Sequence, residues 1–213
     1  MTYRIEKKFL LNPKKYEAFV SYILNLKAMK IFEKRKVFST YYDNDFFSSY
    51  KSSEEGLVPR KKIRIRSYNS YSHDNNSNLE LKISSETNRY KKVEKIKNKN
   101  QLEIFLSRGI LDKTYGFCKP IVNVAYEREY FSFLNSRITL DKNITYWSKK
   151  NNFNKVFEPN LVVEFKSGPH NDIFLENNIM FNPISRFSKY CRAMNKLFFN
   201  IKNYWYEIKK FFW

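Results

Sequence analysis

Charged residues at every second position are the feature of this sequence best suited to chemistry. In PRKKIRIRSY, Arg60, Lys62, Arg64 and Arg66 share one parity, while Ile63 and Ile65 hold the other. LELKI sets Glu80 and Lys82 against Leu79, Leu81 and Ile83, and LVVEFKS sets Glu164 and Lys166 against Val163 and Phe165. RITLD sets Arg137, Thr139 and Asp141 against Ile138 and Leu140, and RIEKKF sets Glu6 and Lys8 against Ile5 and Phe9. YEREYF is less clean, with Arg128 sharing its parity with Tyr126 and Tyr130. Side chains i and i+2 of a strand lie on one face. Each segment is therefore a strand with an apolar face and a charged face.

Any one such strand is explained by a charged face in water. Five together point further. Their charged faces are Arg and Lys with recurrent Glu-x-Lys pairs, where an exposed sheet would mix Thr, Ser, Gln and both signs. The alternative is a barrel with apolar faces outward against helices and a charged, wet interior. Burying unpaired cations is costly, so such an interior calls for a polyanion. Arginine grips phosphate through its planar fork and lysine supplies a point charge. The glutamates would repel that anion unless they hold a divalent ion bridging to it. Oxygen-only ligation fits Mg²⁺ or Mn²⁺ rather than zinc.

Composition narrows the choice. The 213 residues carry 40 Lys+Arg against 21 Asp+Glu, a net charge of +19, so an anionic partner is the first expectation. Two histidines, His73 and His170, leave no zinc site of the His/Cys type, and four glycines leave no glycine-rich phosphate loop. Side chains must therefore hold any phosphate. At 42% hydrophobic and 18% aromatic, the chain is too rich in core formers for a disordered basic tail. Its longest apolar runs fall short of a membrane span, and the start MTYRIEKKFLL lacks a secretory apolar region. Cys118 and Cys191 cannot make a disulfide framework and fit a reducing cytoplasm.

The positioning elements follow from local signals. Asn12-Pro13 predicts the start of a helix to about Lys27, with Tyr16, Phe19, Val20, Ile23 and Leu24 at helical spacing. Val37–Asp43, Arg60–Tyr68, Leu79–Ser84 and Tyr90–Lys97 predict strands, and Asn100–Arg108 a helix closed by Gly109. Val122–Phe133, Ser136–Leu140 and Leu161–Lys166 predict further strands, with Asn143–Asn160 as an irregular excursion. From Ile184 to the end, apolar residues recur at three- and four-residue steps, a long C-terminal helix. The fold class expected is α+β around a closed or strongly curved antiparallel sheet.

The ordered set RIEKKF, VFSTYYD with the following Phe47–Tyr50, RKKIRIRSY, LELK, YEREYF, RITLD, VVEFK and RFSKYC resembles the VTC domain of polyphosphate polymerases, within the CYTH-like triphosphate tunnel metalloenzymes. The resemblance covers most of residues 1–192. It implies an eight-stranded antiparallel β-tunnel, a closed barrel with a charged interior, flanked by helices. Its phosphate-binding cations would be Lys8, Arg64, Arg66, Lys82, Arg128, Arg137, Lys166 and Lys189, extended by Arg60, Lys62 and Ser188. A further lysine after LELK is Lys91 or Lys92. Glu164 is the implied metal ligand, with Glu6 and Glu80 as helpers, for Mn²⁺ or Mg²⁺. Arg4 stands where cyclase and thiamine-triphosphatase relatives have the first glutamate of ExExK, which favours the VTC-like branch.

The implied activity is metal-dependent phosphoryl transfer on triphosphate or polyphosphate, foremost polyphosphate synthesis from ATP. Tripolyphosphate hydrolysis and polyphosphate binding without turnover are the alternatives. Nucleic acid is the least favoured partner, because the cations sit on alternate strand positions beside glutamates and not on one helix or groove. The division expected is a tunnel domain over residues 1–198 and an amphipathic aromatic helix over 199–213. The composition of that helix suits a protein partner or a membrane surface, so the chain is expected in the cytoplasm or at a membrane periphery.

Overall fold

A computed structural model describes residues 5–86, 89–134, 136–150, 154–167 and 184–199. The class is α+β, with antiparallel strand pairing and four helices among the described residues. The elements run β1 (Ile5–Leu11), α1 (Tyr16–Asn25), β2 (Met29–Asp43), α2 (Ser48–Glu55), β3 (Arg60–Tyr68), β4 (Asn78–Ser84) and β5 (Arg89–Lys95). They continue as α3 (Lys99–Ser107), β6 (Ile110–Asp112), β7 (Gly116–Phe133), β8 (Ser136–Ser148), β9 (Lys155–Phe157), β10 (Leu161–Ser167) and α4 (Lys189–Leu197). The chain divides into two compact units, and β2, β7 and β8 each contribute one part to either.

The first unit comprises the described parts of Met1–Lys36, Tyr126–Ile144 and Phe157–Phe187. Its strands are ordered β1-β10-β8-β7-β2. Register sets Lys7, Phe9 and Leu11 opposite Phe165, Val163 and Leu161, and Val163 and Phe165 opposite Leu140 and Ile138. These apolar residues share one face and form a core with Phe19 and Ile23 of α1. Burial of each such side chain is worth about 1.5–3 kcal/mol. Asn12 starts the helical segment as expected, its Oδ1 accepting from the Lys14 amide at 2.9 Å, through a 3-10 turn that precedes α1.

The second unit comprises the described parts of Val37–Ala125, Thr145–Val156 and Ser188–Trp213. Here β2 pairs with β3, β3 with β4 and β4 with β5. Tyr42, Ile63, Ile65 and Leu79 form the apolar face, closed by Leu102 of α3 with Ile110 and Cys118. Asn98 caps α3, its Oδ1 accepting from the Gln101 amide at 2.9 Å. Gly109 then turns the chain at φ 119°, and a Cβ there would stand 2.4 Å from the Cys118 carbonyl oxygen.

Three local expectations change. β8 continues through Asn143 to Ser148, so the irregular segment is shorter than predicted. β2 begins at Met29 and not at Val37; the charged run EKRK carries no alternation to mark it as strand in the sequence. The C-terminal helix starts at Lys189 and not near Ile184, because Ser188 has extended backbone and its hydroxyl accepts from the Cys191 amide at 3.3 Å. Residues 200–213, which include nearly all of the expected aromatic extension, lie outside the described residues.

Candidate functional site

In the second unit, β3 aims Lys62, Arg64 and Arg66 to the face opposite its isoleucines, across from Lys82, Glu80 and Asn78 on β4. Glu80, 2% exposed, is the carboxylate that Arg64 and Arg66 share. Its Oε2 accepts from Arg64 Nε at 2.8 Å and Nη2 at 2.5 Å, and lies 3.7 Å from Arg66 Nη1. Its Oε1 accepts from Lys91 at 3.0 Å. Burial opposes its charge, but Arg64, Arg66 and Lys91 outweigh that and hold its pKa at about 2. Arg66, also buried, donates through Nε to Ser39 at 3.0 Å.

Register separates the two lysines that the sequence leaves open. Lys91 stands opposite Lys82 on the cationic face, whereas Lys92 stands opposite Leu81 and pairs with Glu94 at 2.6 Å. Arg60 turns aside, donating through Nη1 to the carbonyls of Gly56 and Leu57 at 3.0 and 2.8 Å.

The start of α4 is fixed to the same unit. Lys62 Nζ donates to Ser188 Oγ at 2.9 Å. Tyr190 donates to Asp43 Oδ2 at 2.5 Å and stacks on Tyr41, with ring centroids 5.2 Å apart at 19°. Asp43 in turn accepts from the amides of Asn44, Ser49 and Tyr50, each at 2.9 Å, which places the first turn of α2. Lys189 is thereby held between two anchored neighbours, Ser188 and Tyr190. Tyr41 accepts from Arg64 Nη1 at 2.9 Å. Burial raises its pKa, but Arg64, Arg66 and Lys189 together bring it down to about 8.

In the first unit the charged face is nearly balanced. Glu6 stands opposite Lys166, Lys8 opposite Glu164, Glu164 opposite Thr139 and Lys166 opposite Arg137. Lys166 Nζ lies 2.7 Å from Glu164 Oε1 and 3.7 Å from Glu6 Oε2. Lys8 lies 3.1 Å from Glu6 Oε1 and donates to the Phe187 carbonyl at 3.0 Å. Burial raises the Glu164 pKa, yet Lys166, Lys8 and Arg128 hold it well below the carboxylate range. Arg128 grips Asp141 through Nε at 2.5 Å and Nη2 at 2.7 Å. Burial disfavours its charge, but Asp141 outweighs that and keeps its pKa well above the ordinary value. Arg137 is exposed.

The expectation of cations converging with few carboxylates is thus corrected. Arg64, Lys91, Arg128, Lys8 and Lys166 each have an acidic partner, because strand register places Glu or Asp within one or two positions of each. Asp141, Thr139 and Tyr41 were visible as residues, but their roles depend on that register.

Among the described residues no three His, Cys, Asp or Glu side chains form a ready cation cage. A magnesium-like ion needs only one or two carboxylates when water and phosphate supply the rest. Glu164 and Glu6 offer these from adjacent strands. Thr139, whose buried Oγ1 has no hydrogen-bond partner among the described residues, stands opposite Glu164. The donors are oxygen alone and fit Mg²⁺ or Mn²⁺. Glu80 fits less well as a ligand: Arg64 at 2.8 and 2.5 Å and Lys91 at 3.0 Å hold its oxygens more tightly than Lys8 at 3.1 Å and Lys166 at 3.7 Å hold those of Glu6.

The VTC domain family model matches residues 3–116 and 110–198. The chain belongs to the VTC domain family. No curated protein matches the sequence. Among solved structures, a candidate adenylate cyclase from Vibrio parahaemolyticus is similar at 13% identity and a TM-score of 0.48, over 81% of this chain and 79% of that one. The PH1012 protein of Pyrococcus horikoshii OT3 is similar at 19% identity and 0.46, over 77% of each chain. A candidate adenylyl cyclase from Hippeastrum, described as having a dominant triphosphatase activity, is similar at 14% identity and 0.44, over 78% and 80%. No helix among the described residues is long and apolar enough to cross a membrane.

Proposed function

We propose that this protein is a metal-dependent phosphotransferase acting on triphosphate and polyphosphate, and that its forward reaction extends polyphosphate from ATP. The observation that carries this reading is the cationic face of β3, β4 and β5. There Lys62, Arg64, Arg66, Lys82 and Lys91 lie on one face with Glu80, a charge excess suited to a phosphate chain. Membership of the VTC family supports it. The sheet would close as the eight-stranded tunnel that the sequence resemblance implies, with the charged faces inside.

The residues divide the work. Arg64 and Arg66 would bind phosphate oxygens in an orientation that Glu80 maintains, with Lys62, Lys82, Lys91 and Lys189 adding point charges. Lys8, Arg128, Arg137 and Lys166 would extend the cationic set, and Ser188 would contribute its hydroxyl beside Lys189. Arg60 would act at the periphery. Glu164, assisted by Glu6, would hold a divalent ion, which when bound neutralises charge on phosphoryl oxygens. In-line attack by a terminal phosphate on the γ-phosphoryl of ATP would break its bond to the β–γ bridging oxygen and release ADP; it needs no strong base, because the attacking oxygen is already anionic, and positioning and charge neutralisation suffice. With water as acceptor, the same residues would hydrolyse tripolyphosphate.

The test is calorimetric titration of tripolyphosphate and ATP with and without Mn²⁺, followed by analysis of the mixture for chain growth and free phosphate. Submicromolar to micromolar binding that falls with salt supports the reading. Failure of the wild-type chain to bind either compound contradicts it.

A further inference from the structure

Tyr41 has a hydrogen to donate and, among the described residues, nothing to receive it. It lies on β2 opposite Arg64 and is 4% exposed. Its ring stacks on Tyr190, and its oxygen accepts from Arg64 Nη1 at 2.9 Å. The Arg64 guanidinium carbon lies 5.7 Å from its ring centroid. These contacts use the ring and the oxygen. Among the described residues none accepts the hydroxyl hydrogen. A buried donor left unmet costs about 1–3 kcal/mol.

Among the described residues the charged neighbours offer no acceptor already in place. Arg64 donates to Tyr41, and Arg66 of β3 and Lys189 of α4 add positive charge around it. Glu80 of β4 is engaged by Arg64, Arg66 and by Lys91 of β5. Asp43 on the same strand accepts from Tyr190 and from backbone amides at the start of α2. With no acceptor among the described residues, the group that completes this cluster is one from solution, and three cations select an anion.

We infer that Tyr41 donates its hydroxyl hydrogen to a phosphate oxygen of the bound triphosphate or polyphosphate, beside Arg64. The assignment rests on the phosphate reading above and adds a neutral donor to its cationic set. It also predicts a pH response. The phenolate has no hydrogen to give and repels phosphate, so binding weakens as pH rises through the Tyr41 pKa near 8. Bound phosphate, by favouring the phenol, moves that titration upward.

The test compares the wild type with Tyr41→Phe, which keeps the ring and its stacking on Tyr190. Tripolyphosphate affinity at pH 7 is expected to fall about tenfold in the variant, the scale of one hydrogen bond to a charged group. The wild type should lose affinity between pH 7 and pH 9 more steeply than Tyr41→Phe. Its tyrosinate absorbance near pH 8 should diminish when tripolyphosphate is added, a signal the variant lacks. Equal affinity and equal pH dependence in the two proteins would overturn the assignment. If Tyr41→Phe does not fold, wild-type tyrosinate absorbance unaffected by saturating tripolyphosphate would overturn it alone. A wild type that binds no tripolyphosphate removes the phosphate reading itself, and the assignment with it.

Discussion

Arg64 and Glu80 face each other across β3 and β4, and Arg64 gives two N–H groups to the same carboxylate oxygen, at 2.8 and 2.5 Å. That leaves the other edge of the guanidinium turned toward Tyr41. A buried acid thus holds the guanidinium in one orientation.

Glu80→Gln should cost about 3 kcal/mol of stability at pH 7, the scale of breaking a buried ion pair, because Arg64, Arg66 and Lys91 lose their shared charge. The pH sign follows from the depressed pKa. Stability from this group is complete above the unfolded value of 4.5 and is lost as pH falls toward about 2. Urea unfolding between pH 2 and pH 5 should show a steeper loss in the wild type than in the variant. Parallel curves would remove Glu80 from this role.

Replacing Arg64 and Arg66 together by Ala should lower tripolyphosphate affinity by more than tenfold, at about 1.5–3 kcal/mol for each charged hydrogen bond lost. The Arg64→Ala single variant should also be less stable to heat, since Glu80 loses its two shortest bonds. Tripolyphosphate titration of the double variant decides the point, and unchanged affinity would place the phosphate elsewhere.

Glu164→Gln should abolish the metal dependence of activity while leaving polyanion binding in place. Its carboxylate is held charged by Lys166, Lys8 and Arg128, so a merely structural role predicts lost stability with an unchanged Mn²⁺ response. Titrating Mn²⁺ against both proteins separates the two outcomes.

Lys189→Ala should lower turnover more than tripolyphosphate affinity. The residue opens α4 between Ser188, held by Lys62, and Tyr190, held by Asp43, so its loss removes a placed charge without releasing the helix. Normal kinetics in the variant would take Lys189 out of the site.

Strand faces were legible because their period is two: Arg64 and Arg66 against Ile63 and Ile65, or Glu164 and Lys166 against Val163 and Phe165, declare their sides without a structure. Pairing was not. The choice between Lys91 and Lys92 turns on which stands opposite Lys82, and RYKKVEK carries no apolar alternation to decide it. Asp141 was visible on the charged face of RITLD, but its grip on Arg128 needs the neighbouring strand in register. Tyr41 sits in VFSTYYD, which the sequence marks only as a strand. Its role emerges only from the cations around its oxygen.

The most direct test of the central claim follows the terminal phosphate. ATP labelled in its γ-phosphoryl group is incubated with the full chain and Mn²⁺ or Mg²⁺, and the products are separated by length. The account predicts metal-dependent transfer of label, into lengthening phosphate chains for the polymerase reaction or into orthophosphate where water is the acceptor. Label that stays in ATP at every metal concentration, while tripolyphosphate still binds, would contradict phosphoryl transfer as the function of this protein.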